Sequence, residues 1–321
     1  MNQGWSWFEG VGWSVILVEG VDGLDLLQRL TTNDVVGLAA GECRATLLTT
    51  EKGRIIDLLY AVPLKDGRLF LLGSPRRGKS VVEWLEKFTI LEDVKYYDLS
   101  DNISVSCAIA DQTNSGDSIL DDLELGSGRS VEFDAPEFHA VAFRPAKLPY
   151  GLAFFARLVP AADRSGDVEM RGRGDSIPLA RGREEFEHER IAAGIPLAPG
   201  ELSERWTPYD VGLQQAISLK KGCYVGQEVL ARMETYQKIR RGFVRLIMET
   251  YPENESSRVL MKEGNEIGYV TSVSPRRSEG GYIALGVARV GGIERGEVLQ
   301  SGSRGGTRVV SVLDREGIRW E

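Results

Sequence analysis

The sequence predicts an α+β protein that ends in a small all-β barrel. Three observations carry this. Strand-like and helix-like runs alternate through the first hundred residues, and an Asp-Gly turn pairs two of the strands. A second stretch of similar texture follows, to about residue 240. From Arg241 onward, short β-rich runs are separated by Gly, Pro, Asn and Ser. The expected domains are therefore residues 1–100, 101–240 and 241–321.

Trp13 to Val18 reads as a short strand, and Asp22 stands where a helix N-cap would. Leu24, Leu27 and Leu30 follow at helical spacing and predict an apolar face. Cys43 to Thr49 and Ile55 to Val62 read as strands joined by the turn Glu51-Lys52-Gly53. A second turn, Lys65-Asp66-Gly67, leads into Arg68 to Leu72; Asp-Gly between apolar runs signals a hairpin, so this sheet is at least partly antiparallel. A helix over Ser80 to Phe88 and a strand near Val94 to Tyr97 complete the unit. In the second unit Ile103 to Ala110, Phe138 to Phe143 and Leu152 to Val159 look like strands. Gly116 to Gly128 is acidic and loop-rich, and Ala161 to Gly182 is a Gly/Arg/Asp-rich connection. Glu184 to Ala193 reads as a helix closed by Gly194 and Pro196. The barrel runs are Phe243 to Met248, Gly268 to Ser272, Tyr282 to Val290 and Arg308 to Leu313.

With 321 residues, 42% hydrophobic and 27% charged, the chain has the composition of a soluble globular protein with two or three folding units. A net charge of -8 argues against a general nucleic-acid coat, which needs a basic balance. Cys43, Cys107 and Cys223 are widely spaced, so no closed zinc site is expected and free thiols suit a reducing compartment. The N-terminal stretch lacks a basic region followed by an apolar one, and no run approaches the roughly 18 apolar residues of a membrane span. The expectation is a soluble, cytoplasmic monomer with no membrane or nucleic acid as its main partner. His139 and His188, the only histidines, are far apart and read as structural.

Gly73 to Ser80, GSPRRGKS, matches the phosphate-loop pattern GxxxxGK[ST] between a strand and a helix. A nucleotide-binding reading would put Lys79 on phosphates and Ser80 on magnesium. Two features oppose it. The strand before it is paired through a hairpin, whereas phosphate loops follow parallel strands. Bulky Pro75, Arg76 and Arg77 also fill the loop, which reads instead as a basic surface loop leading into a helix.

The stretch Lys220 to Met233, KKGCYVGQEVLARM, concentrates the unusual features. Gln227 to Met233 are good helix formers, which places Cys223 just ahead of a helix N-terminus. Helix-end N–H groups and nearby lysines lower a thiol pKa, making the thiolate available as nucleophile, redox centre or soft-metal ligand. The bland alternative is a small packing residue beside a solvated basic face. Gly222 and Gly226 allow sharp turns and close approach to a ligand. Lys220, Lys221, Arg232, Lys238, Arg240, Arg241 and Arg245 face only Glu228 and Glu234, so either an anionic-ligand site or an ordinary basic surface fits the charge pattern.

Lys221 to Glu228, KGCYVGQE, resembles the KGCYxGQE signature of the YgfZ-type family of folate-binding proteins implicated in iron–sulfur cluster assembly and repair. LLQRLTTNDVVGLAAGE, TTEKGRIIDLL, ERIAAGIPL, IGYVTSVSP and YIALGVAR extend the resemblance over nearly the whole chain. That family is similar in fold to the T-protein of the glycine cleavage system, a tetrahydrofolate-using aminomethyltransferase. The resemblance implies two ferredoxin-like α+β units and the barrel in a three-lobed arrangement around a central cavity. It also implies tetrahydrofolate or a derivative as cofactor, no resident metal, and iron–sulfur assembly proteins and client enzymes as partners. Cys223 would be the functional thiol, at most a transient cluster ligand, and Lys221 its electrostatic activator. Tyr224, Gly222, Gly226, Gln227 and Glu228 would contact the cofactor or support the loop. TTEKGRIID places Asp57 where the T-protein has a carboxylate assisting chemistry at the folate amine; the alternative is a strand-end aspartate at the surface. Two departures follow: Leu152-Ala153-Phe154 stands where the T-protein grips the pterin with a glutamate, and Cys223-Tyr224 replaces its Asp-Phe pair. The implied function is a folate-binding accessory of iron–sulfur cluster assembly; the alternative is a folate-dependent one-carbon transferase acting on an amine, RNA or protein.

Overall fold

The structure is a computed structural model that describes residues 5–110, 125–135, 138–146, 148, 151–158, 181–236, 239–289, 293, 296–301 and 308–316. The expected acidic loop up to residue 124 and the connection over 161–180 lie outside the described residues. Two compact units divide the chain: Met1–Thr49, Ile56–Phe186 and Gln215–Val225 form one, and Thr50–Ile55, Glu187–Gln214 and Gly226–Glu321 the other.

The first unit carries β1 (Trp5–Phe8), β2 (Ser14–Glu19), α1 (Gly23–Leu30), β3 (Arg44–Thr49), β4 (Ile55–Pro63), β5 (Leu69–Gly73), α2 (Gly78–Glu86), β6 (Lys95–Asp98), β7 (Ile103–Ala110), β8 (Arg129–Ala135), β9 (Phe138–Arg144) and β10 (Leu152–Leu158). One sheet has the order β3-β4-β5-β2-β6, and β5 runs antiparallel to both β4 and β2. The hairpin at Asp66-Gly67 is present, with Gly67 at φ 89. All nine residues of β4 are buried, which explains why its apolar residues do not alternate with polar ones and are interrupted only by Asp57: both faces of the sheet are covered.

On one face lie Leu26, Leu27 and Leu30 of α1 with Val81 and Leu85 of α2, against Ile16, Val18, Leu59, Ala61, Leu69 and Leu71. Leu24 is only partly buried, so the apolar face of α1 is shifted by Leu26 from the predicted one. Asp22 is at the N-cap but makes no side-chain cap bond; its carboxylate accepts from Asp93 N at 2.8 Å instead. The other face is aromatic. Tyr60 of β4 and Phe70 of β5 meet Phe143 and Phe154 of the second sheet, with the Tyr60–Phe154 centroids 4.9 Å apart and Phe143 stacked on Phe154 at 5.0 Å. Each such pair adds about 0.5–1.5 kcal/mol to the burial of its rings. The second sheet, β1-β7-β10-β9-β8, is antiparallel throughout and packs Ala108, Ala140, Ala142 and Ala153 with Trp7, Leu125 and Phe155 on its far face.

The helix α3 (Arg183–Ala192) is divided between the units at Phe186. The second unit continues with α4 (Gln227–Thr235), β11 (Arg241–Met248), β12 (Val259–Lys262), β13 (Asn265–Ser278), β14 (Gly281–Arg289), β15 (Val298–Ser301) and β16 (Arg308–Glu316). These six strands form one antiparallel order, β11-β14-β13-β12-β15-β16, in which β11 also pairs with β16. Val244, Leu246 and Met248 point inward at every second position and pack with Leu260, Val270, Ala284, Ala288 and Leu299. Irregularities between Val270 and Ser272 and between Val273 and Arg277 bend the long β13. No described helix is long and apolar enough to cross a membrane.

Candidate functional site

The cysteine segment is stitched to α1 and β3 on both sides of Cys223. Before it, Ser218 N donates to Thr32 O at 2.9 Å, and Thr32 Oγ1 donates to Ala216 O at 2.7 Å. Lys221 is buried, and its ammonium donates to the carbonyls of Gln28, Thr31 and Asn33 at 2.7, 2.6 and 2.6 Å. A helix C-terminus leaves carbonyls unpaired and partly negative, so a cation there caps α1. After the cysteine, Val225 N donates to Arg29 O at 3.1 Å and Thr49 Oγ1 donates to Val225 O at 2.8 Å. Cys223 sits exposed between these anchors. Cys43 and Cys107 are buried, and burial pushes both thiols up to about 12.

Tyr224 is buried against this cap, with the Lys221 Nζ 4.9 Å from its ring centroid. Burial pushes the phenol up to about 12, so it stays protonated, and its hydroxyl has no hydrogen-bond partner among the described residues. Burial also lowers the Lys221 ammonium to about 8, with Asp34 opposing. Lys221 directs its ammonium to carbonyls at and just beyond the end of α1. Gly226, at φ 85, occupies the left-handed N-cap of α4 that favours glycine. Gly222 adopts no such conformation, and a Cβ there would meet nothing within 4 Å. Glu228 is exposed and pairs with Arg232 at 2.7 Å.

Part of the basic neighbourhood is engaged inside the fold. Arg241 pairs with the buried Asp210 at 3.1 Å, and Arg245 Nη1 donates to Ala192 O at 2.6 Å. Lys220 and Arg240 are exposed, while Lys238 lies outside the described residues. His188 Nδ1 bonds to Ser274 Oγ at 2.7 Å, and His139 lies 3.7 Å from Glu132.

Asp57 is fully buried in β4, not on the surface. Its Oδ1 accepts from Ser74 Oγ at 2.5 Å and from Leu58 N at 2.9 Å; Oδ2 accepts from Ser74 N at 3.2 Å. Burial pushes the carboxyl up to about 6, and the Ser74 hydroxyl, the Leu58 amide and the charge of Arg77 oppose this. The two Ser74 bonds run to the β5–α2 loop, the Leu58 bond stays within β4, and none of the three reaches the cysteine segment.

That loop is the phosphate-loop look-alike. It follows an antiparallel strand, Ser80 Oγ donates to Arg77 O at 2.9 Å, and exposed Lys79 lies 3.8 Å from Glu83. Ser74 was legible in the sequence only as part of this motif; its partnership with Asp57 has no local signal. Leu152, Ala153 and Phe154, where the T-protein resemblance would put a pterin-gripping glutamate, are interior residues of β10.

Residues 4–109 match the GCVT N-terminal domain family. A chloroplastic protein of Arabidopsis thaliana, named only as a transferase, is 27% identical over 84% of this chain; the chain spans 62% of that protein's length. The aminomethyltransferase of Staphylococcus carnosus is 26% identical over 88% of this chain and 79% of its own length. That of Geobacillus kaustophilus is 27% identical, over 87% and 78%. Among solved structures, the glycine cleavage system aminomethyltransferase T of Bartonella henselae superposes with a TM-score of 0.73, at 21% identity, covering 99% of this chain and 87% of that one. The chain thus has an aminomethyltransferase-like fold, with a GCVT N-terminal domain over residues 4–109.

Proposed function

We propose that this protein is a tetrahydrofolate-dependent one-carbon transferase acting on an amine. The observation that carries this reading is Asp57: a carboxyl sealed from water, raised to about 6, at the position where the resemblance implies a group assisting chemistry at an amine. A base poised near neutral pH can take a proton from an ammonium and return it. The chain also offers a fit to a bound folate, since the Tyr224 hydroxyl is buried without a partner among the described residues and a ligand polar atom would satisfy it. Tyr224 would hold the cofactor, and the anchored Lys221 to Val225 segment would keep it in place. Bound, the folate supplies the one-carbon unit; the protein supplies orientation and proton handling. The test is transfer from labelled methylene-tetrahydrofolate to ammonia or a primary amine. Asp57→Asn should lower the rate by about two orders of magnitude or more. Calorimetry showing no reduced-folate binding by the wild type would remove the proposal.

A second reading, a folate-binding accessory of iron–sulfur cluster assembly or repair, is favoured by the exposure of Cys223. Clusters usually take four protein ligands, so one thiol would act transiently or with an assembly protein or client enzyme. Under this reading Cys223→Ser abolishes rescue of iron–sulfur enzyme activities in cells lacking the protein; full rescue would exclude it.

A further inference from the structure

We propose that Ser74 is the positioning residue of Asp57, sorting its two oxygens so that Oδ1 holds the negative charge and Oδ2 takes the proton. The proposal rests on the reading of Asp57 as a proton-handling group, and it assigns a role to the loop that mimics a phosphate-binding motif.

The geometry is asymmetric. Oδ1 receives two donors, the Ser74 hydroxyl at 2.5 Å and the Leu58 amide at 2.9 Å. Oδ2 receives a single longer bond, from Ser74 N at 3.2 Å. Hydrogen bonds to a carboxylate oxygen favour charge on that oxygen, so the proton goes to the less engaged one. Gly73 keeps Oδ2 uncrowded, because a Cβ there would come within 3.2 Å of it and 3.1 Å of Leu59 Cδ2.

Ser74 is itself held in place. Its carbonyl accepts from Ser14 Oγ at 2.7 Å, and Ser14 Oγ in turn accepts from Arg77 N at 2.7 Å. Arg77 Nη2 donates to Ile56 O at 3.1 Å, beside Asp57 in the chain, and Arg77 is the charged side chain whose field reaches the carboxyl. Strand β4, the start of β2 and the β5–α2 loop thus converge on one carboxyl through two serines and one arginine.

The experiment is carbon NMR of protein labelled at aspartate Cγ, without folate or substrate, with the Asp57 signal assigned by its loss in Asp57→Asn. Ser74→Ala removes the hydroxyl and keeps the amide, so the Asp57 midpoint should rise by about one pH unit, a tenfold change in proton affinity. Ser74→Thr, which restores a hydroxyl, should return it towards the wild-type value. An unmoved midpoint in folded Ser74→Ala overturns the proposal. Should that variant fail to fold, Ser14→Ala carries the test, because it frees the Ser74 carbonyl: an upward shift supports the proposal and a wild-type midpoint overturns it. Absence of one-carbon transfer by the wild type would instead count against the transferase reading alone, since the titration needs no activity.

Discussion

Asp57 should make the stability of this protein fall with pH in a range where most carboxylates do the reverse. The perturbation is Asp57→Asn, compared with wild type in urea at pH 4, 5, 6, 7 and 8. The folded carboxyl stands at about 6 against an ordinary 3.8, and the residue is fully buried. A raised folded pKa means that the folded state binds the proton more tightly. The contribution to stability is therefore complete below the ordinary value and is lost as pH rises through about 6. A difference of roughly two pH units corresponds to about 3 kcal/mol. Asparagine cannot ionise, and whatever it costs by turning an amide towards the Ser74 N–H is the same at every pH. The difference in unfolding free energy between the two proteins should thus change by about 3 kcal/mol between pH 4 and pH 8, to the relative disadvantage of wild type. A flat difference across that range would show that Asp57 titrates normally and would refute the account of its burial.

Three further outcomes are expected. Native protein should present one thiol per chain to Ellman's reagent, Cys223, and three after unfolding, because Cys43 and Cys107 are buried. Gly226→Ala should cost about 1–2 kcal/mol in thermal or urea unfolding, since φ 85 at the N-cap of α4 suits glycine alone among these residues. Lys221→Met should cost about 3–5 kcal/mol, because it strips three carbonyls at the end of α1 of their donor and loosens the Cys223 loop; a loss under 1 kcal/mol would mean that water replaces the ammonium there.

The parts of the fold written in local pattern were legible. The Asp66-Gly67 turn announced the antiparallel pairing of β4 with β5, and that pairing disqualified the phosphate-loop motif. Gly194, at φ 74, closes α3 as its position after the helical run suggested. The strands β1, β8, β12 and β15 were not foreseen. Those of four residues, such as Val259–Lys262 and Val298–Ser301, are too short for alternation to register, and their strand state is set by neighbours. Site contacts were less legible still. Lys221 meets Thr31 across 190 positions, and Ser74 meets Asp57 across 17. The sequence marked Lys221 as a cation near a thiol, and only the tertiary fold could turn it towards the end of a helix.

Two buried ionisable groups, Lys221 and Asp57, can be separated by the partners that hold them, and that separation bears on which site does chemistry. Lys221 loses hydration on burial, which lowers its ammonium to about 8, and its three charge-assisted bonds to carbonyls at and just beyond the end of α1 offset that loss only in part; removing it should still destabilise the fold, because those carbonyls lose their donor. Its charge has a structural use, the capping of α1. The bonds of Asp57 to Ser74 and Leu58 likewise do not compensate its desolvation, since the carboxyl still stands at about 6, but they cap no helix end. At neutral pH its charged form costs the fold stability, and packing gives no reason for an acid among Leu58, Leu59 and Ile56. Groups held at a cost to stability and with proton affinity displaced towards neutral are characteristic of sites that move protons. Under the transferase proposal, the segment richest in sequence signals anchors one exposed thiol, and the carboxyl with the fainter signal handles the proton.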